Sequence, residues 1–221
     1  MQNSISNRGC FHSRWLGLSK AFLLLIFFLF VSCSTEVTLT LNKDDSVDIS
    51  FEGGAGKAFA KMISSAAGIS GADENQLLID ADSVSYELAK AGFSDVKVNQ
   101  KKEGSVSISM KDMKQTSYLF TSKIVKAENG RLLAAISRKS LEDFYSSSDE
   151  QTRMILDLFL APVFNAEEMT EKEYLEMVSS FYGDAAGKEV GESLVKINLI
   201  SKDGSKQTIA YPLSQIFCGL F

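Results

Sequence analysis

The sequence predicts an α+β domain: an antiparallel sheet built from β-hairpins, helices packed on one face, and a short leader in front. Three observations carry this. Apolar and polar residues alternate in short runs paired across turn residues, the pattern of hairpins with one buried face. Between and after these runs, apolar residues recur at i, i+3, i+4 and i+7, the spacing of a helix. The polar positions of the alternating runs are rich in Ser and Thr, which suits a sheet with its second face open to water.

Val37, Leu39 and Leu41 alternate with Thr38 and Thr40, and Val47, Ile49 and Phe51 with Asp48 and Ser50. Lys43-Asp44-Asp45-Ser46 supplies the turn between them. Phe59, Met62, Ile63 and Ala66 then share a helical face that Gly68 can end. Asp73 with Gln76 forms a capping-box pattern before the stripe Leu77, Ala81, Val84 and Leu88, and Gly92 follows that helix.

A second hairpin joins Val96 and Val98 to Val106, Ile108 and Met110 around Glu103-Gly104. A third spans Tyr118–Ala127 and Arg131–Ser137, with Asn129-Gly130 as a type I′ turn.

A helical insertion is expected at about 140–185. Ser148 with Gln151 and Thr170 with Glu173 are capping boxes, and Met169 and Tyr174 stand at staple positions around the second. The first of these helices carries Met154, Ile155, Leu158 and Phe159 before Pro162 stops it. The second carries Tyr174, Met177, Val178 and Phe181, with Gly183 beyond its end. Val195-Ile197-Leu199, the turn Asp203-Gly204 and Ile209-Tyr211 make a closing hairpin.

Ahead of all this, Ala21–Val31 is an apolar run of 11 residues. It is too short to span a bilayer, which takes about 20, and has the length of a signal-peptide core. Arg8, Arg14 and Lys20 precede it, and no acidic residue occurs before Glu36. Residues 1–32 therefore read as a signal peptide, and 33–221 as a single domain of 189 residues. The leader holds three basic residues and no acidic one, so the net charge of −5 becomes −8 in the mature chain. Such a surface repels nucleic acid, and no nucleic-acid partner is expected.

Phe30-Val31-Ser32-Cys33 resembles the lipobox of bacterial lipoproteins, in the relaxed form seen in spirochaete lipoproteins, with Phe30 where leucine is usual. The resemblance implies cleavage before Cys33 and acylation of its thiol, with palmitate-type chains anchoring the domain to a membrane on the non-cytoplasmic side. A plain cleaved leader or a retained anchor are the other accounts of this run. The stretches "STEVTLTLNKDDSVDISF" and "LAKAGFSDVKVNQKKEGSVSISM" further resemble LppM-like lipoproteins over about residues 23–112. That likeness implies an envelope domain without enzymatic activity that handles lipid or glycolipid, and it supplies no catalytic residues.

Missing residues narrow the chemistry further. His12 and Trp15 are the only histidine and tryptophan, and both lie in the leader. Without histidine there is no Ser-His or Cys-His pair. With only Cys33 and Cys218 left in the mature chain, zinc, haem and iron–sulfur sites lack their ligands. Cys218 reads as a small apolar side chain, with a Cys33–Cys218 bridge as the alternative if Cys33 stays free.

Three motif matches carry no chemistry. "FEGGAGKAF" lacks the first glycine of a phosphate loop, which falls at Phe51, and its magnesium-binding hydroxyl, which falls at Ala58. Ser193-Leu-Val-Lys196 lies on a strand pattern, where residues three apart face opposite ways. Asp80, Asp82 and the glutamates of 167–176 lack calcium-loop spacing. No catalytic residue, metal or cofactor is expected.

The remaining candidate is Met154–Phe164, where Asp157 is the only charge. A helix apolar nearly all round is either buried or in contact with something apolar outside the core. Met154, Leu158, Phe159, Phe164 and Phe181 are the candidate contacts for a lipid or other apolar ligand, or for a partner surface. The expectation is an envelope lipoprotein that binds an apolar ligand; the rival is a structural or protein-interaction lipoprotein with a filled core. No protein partner is identifiable from the sequence.

Overall fold

The structure, a computed structural model, describes residues 35–54, 56–66, 81–100, 105–148, 150, 153, 156–157, 159–160 and 169–219. The leader, Cys33, the Asp73 cap, Gly68, Leu77, the Glu103-Gly104 turn, Gln151, Met154, Ile155, Leu158, Pro162 and Phe164 lie outside these residues.

Eight strands and seven helices can be labelled among the described residues. The strands are β1 Thr35–Leu41, β2 Val47–Gly54, β3 Ser94–Gln100, β4 Ser105–Asp112, β5 Val125–Glu128, β6 Arg131–Ala134, β7 Leu194–Ile200 and β8 Lys206–Pro212. The helices are α1 Lys57–Ala66, α2 Ala81–Lys90, α3 Tyr118–Thr121, α4 Arg138–Ser147, α5 Glu171–Tyr182, α6 Asp184–Glu192 and α7 Leu213–Cys218. Glu150, Arg153, Leu156, Asp157, Phe159 and Leu160 are also helical.

Six strands form one sheet in the order β3-β4-β2-β1-β7-β8. Every pairing in it is antiparallel except β1 with β7, which is parallel. The α+β class and the antiparallel hairpins stand as expected, and one parallel seam closes the sheet. That seam sets two ends. Thr35 lies beside Val195, Gly54 beside Ser105 and Leu194 beside Pro212 at what we call the near end. Leu41 beside Val47, Val47 beside Asp112, and Ile200 beside Lys206 mark the far end.

The alternation sorts the two faces. Val37, Leu39, Ile49, Phe51, Val106, Ile108, Ile197 and Leu199 are buried on one side, in a single core with Phe59, Val84, Leu88, Phe144, Tyr174 and Val190 from the helices. Ser50, Glu52, Lys97, Ser109, Lys196 and Thr208 are exposed on the other.

Three expectations need correction. The third hairpin is shorter than its alternation suggests and forms a separate two-stranded sheet. Asn129 (φ 53°) and Gly130 (φ 75°) supply the two positive angles of a type I′ turn. Tyr118–Thr121, however, is a helical turn. The cause lies upstream: the buried Asp112 carboxylate accepts from the backbone N–H of Lys114, Thr116 and Ser117, and bends the chain out of the sheet.

Next, the helical region begins at Arg138 and runs beyond residue 185, because α6 follows α5 directly. At Gly187 an added Cβ would meet Ser179 Oγ at 2.0 Å, so these two helices pack at glycine distance. Finally, α5 keeps its expected start and three residues of its expected stripe, Tyr174, Met177 and Val178, but not the fourth. Thr170 and Glu173 form a capping box, and Tyr174 and Val178 are buried. Phe181 is 75% exposed.

Candidate functional site

Of the expected apolar wall, the described residues include Phe159 and Phe181, and Phe159 is packed in the core. The Phe159 ring stacks on Phe59 at 5.3 Å and on Phe217 at 5.2 Å. Tyr174 tilts against Phe217 at 6.0 Å, and its hydroxyl donates to the Phe159 carbonyl at 3.2 Å. Burial pushes the Tyr174 phenol well above its ordinary value, so it stays a neutral donor. Phe159 thus sits inside an aromatic stack with its neighbours in contact. Phe181 touches the ring of Tyr182 at the end of α5 and faces outward. These two phenylalanines do not share a wall. Cys218, at the end of α7, is a free, half-buried thiol that burial and, next, Glu171 raise to about 11.

The phosphate-loop look-alike is closed by the protein itself. A helix N-terminus offers unpaired N–H groups and favours anions. At α1 the N–H groups of Ala58 and Phe59 donate to the Glu189 carboxylate at 3.1 and 2.9 Å. Ser193, of the S-x-x-K match, is buried with its hydroxyl donating to the Glu189 carbonyl, while Lys196 is exposed.

Convergent polar groups gather on the open face and at the far end. In the 42–46 turn, the Asp44 carboxylate accepts from the Ser46 hydroxyl at 2.6 Å and its N–H at 3.1 Å. The hydroxyl first, then the amide, hold that carboxyl below its ordinary value. Asp45, at φ 65°, pairs its carboxylate with Lys202, and its carbonyl accepts from Gln115 Nε2 at 2.8 Å. The N–H of Lys202 donates to the Gly130 carbonyl at 3.0 Å. Four segments distant in sequence are tied at one tip. Between them is a cleft of about 340 Å³, lined in part by Asp45, Met113, Lys114, Gln115 and Asn129.

A shallow groove of about 390 Å³ adjoins it on the sheet face, lined by Thr38, Thr40, Asp48, Ser50, Lys97, Ser109 and Lys111 among others. Asn42 Nδ2 donates to Asp48 at 3.0 Å, which connects tip and groove, and Lys111 pairs with Asp48 at 3.3 Å. Nearer the middle, Asn198 is almost fully buried on this otherwise wet face. It donates to Glu36 and Thr38 and accepts from Thr208 at 2.7 Å, so its amide is satisfied.

Chemically this surface offers hydroxyls, amides and both signs of charge. No aromatic ring lines either recess. Among the described residues, no group of three or more His, Cys, Asp or Glu side chains could hold a metal ion. No helix of the described residues is long and apolar enough to cross a membrane. The sequence marks Asp44-Asp45, Asn129-Gly130 and Asp203-Gly204 as separate turns. Their meeting at one tip depends on the parallel β1–β7 seam, which no local pattern announces. Protein families, curated proteins and solved structures were all compared with the chain, and none matches it.

Proposed function

We propose that this chain is a membrane-tethered, non-catalytic envelope domain that meets a protein partner through its far end and open sheet face. The tether is the acylated Cys33 implied by the lipobox resemblance. The observation that carries the reading is the Phe159 ring between Phe59 and Phe217. Phe159, one of the candidate ligand contacts, has its ring packed on protein side chains, which supports an interaction domain over a lipid carrier. The recesses outside the core support the same choice. Their lining of Asp, Lys, Gln, Asn, Ser and Thr suits a polar protein surface of mixed charge, and sugar recognition through stacked rings has no platform there.

Thermal melting of the mature domain tests this reading. A ligand that binds the folded state alone raises the melting temperature by mass action. The expected result is no shift with phospholipids, glycolipids or fatty acids. A saturable rise with one of them would restore the lipid-binding reading. The tether is tested separately. Cys33→Ala should abolish acyl labelling and release the exported protein from the membrane fraction, because stable anchoring takes two or more chains at about 0.8 kcal/mol per buried CH₂.

A further inference from the structure

We propose that the near end of the sheet lies against the bilayer, with Leu194 as its apolar contact, and that the far-end cleft is thereby held away from the membrane. This rests on the proposed tether at Cys33. A single residue, Ser34, stands between Cys33 and β1. Two residue steps reach at most about 7 Å. Thr35 is fully buried and paired with Val195, so β1 cannot peel away to lengthen the tether without breaking the β1–β7 ladder.

The register then decides which residues face the lipid. Leu194 sits one step ahead of the Thr35–Val195 pair, opposite Pro212. It is 37% exposed, while Val195, Ile197 and Leu199 of the same strand are buried. It is a leucine, opposite Pro212, at the edge of a face that is mainly polar. Exposed charges at this end include both signs, Lys57 from the start of α1 and Glu192 from the end of α6. The short covalent tether sets the orientation. From here β1 and β7 run seven residues each to the far end. At about 3.3 Å per residue, that lifts the tip roughly 20 Å from the interface.

The mature domain contains no tryptophan, since Trp15 lies in the leader, so one introduced indole reports alone. The test uses the full-length, processed protein in phosphatidylcholine vesicles with brominated acyl chains, which quench nearby indoles. Leu194→Trp marks the near end, Lys57→Trp marks it a second time, and the half-exposed Met113→Trp marks the far end. The expected result is blue-shifted near-end emission, quenched several-fold more than that of Met113→Trp, which behaves as it does in unbrominated vesicles. Equal quenching at both ends, or none at either, with the acyl label still on Cys33, would overturn the orientation and leave the tether standing. Loss of the label together with loss of vesicle association would overturn both.

Discussion

The two faces of the six-stranded sheet come from the same strands, one residue apart. Leu39 and Ile49 share a buried core with the aromatic stack of Phe59, Phe159 and Phe217. Thr38 and Ser50, their chain neighbours, look out on a polar groove. On the closed face the energy lies in apolar area and close contact. On the open face it lies in cross-strand hydrogen bonds such as those around Asn198. The difference teaches that the buried, stabilising side chains and the exposed polar ones are divided by a two-residue period. Substitutions should separate along the same line.

The largest effect is expected deep in the closed face. Phe159→Ala should cost about 3–5 kcal/mol, because lost transfer energy and the residual cavity add. For a domain of this size that lowers the melting temperature by roughly 10 °C. A loss well under 1 kcal/mol by urea denaturation would mean that the stack is loosely packed, and the contrast between faces would fail.

Asp112→Ala comes second. It leaves three backbone N–H groups without their shared acceptor, and should cost about 2–3 kcal/mol. Faster amide exchange at Lys114, Thr116 and Ser117 would place the loss at the turn that starts α3. Glu189→Ala should cost about 1 kcal/mol, as removal of a helix cap does. Glu189→Gln should recover part of that, since its amide oxygen still accepts. Phe181→Ala should change stability by less than about 0.5 kcal/mol, as at other exposed positions. A cost near that of Phe159→Ala would show that the two phenylalanines do share a buried wall.

Much of the closed face is legible in sequence. Val37-Leu39-Leu41 and Val195-Ile197-Leu199 announce strands by alternation, and Thr170 with Glu173 announces the start of α5. Three things are not legible, each for a physical reason. Helix α6 buries Ala186, Gly187 and Val190, a face too small to register as apolar periodicity, and its packing on Ser179 needs the lack of a side chain. Phe181 fits the i+7 position of its stripe, but α5 ends at Tyr182, and its last turn lies beyond the core it would have to touch. The Tyr118–Thr121 run, apolar and aromatic like a strand, is committed to a turn by the Asp112 carboxylate. The candidate site was visible only in parts. Each turn at the tip shows its own Asp, Asn or Gly, while the Lys202–Asp45 and Gln115–Asp45 contacts join segments far apart in the chain.

Native mass spectrometry of the purified mature domain tests the central claim most directly, that the closed face is filled by protein and the open face does the meeting. The account predicts a mass equal to the polypeptide plus the acyl groups on Cys33, with nothing else retained under gentle desolvation. A stoichiometric lipid that stays bound to the Cys33→Ala domain, and is lost when Phe159 is changed, would contradict it.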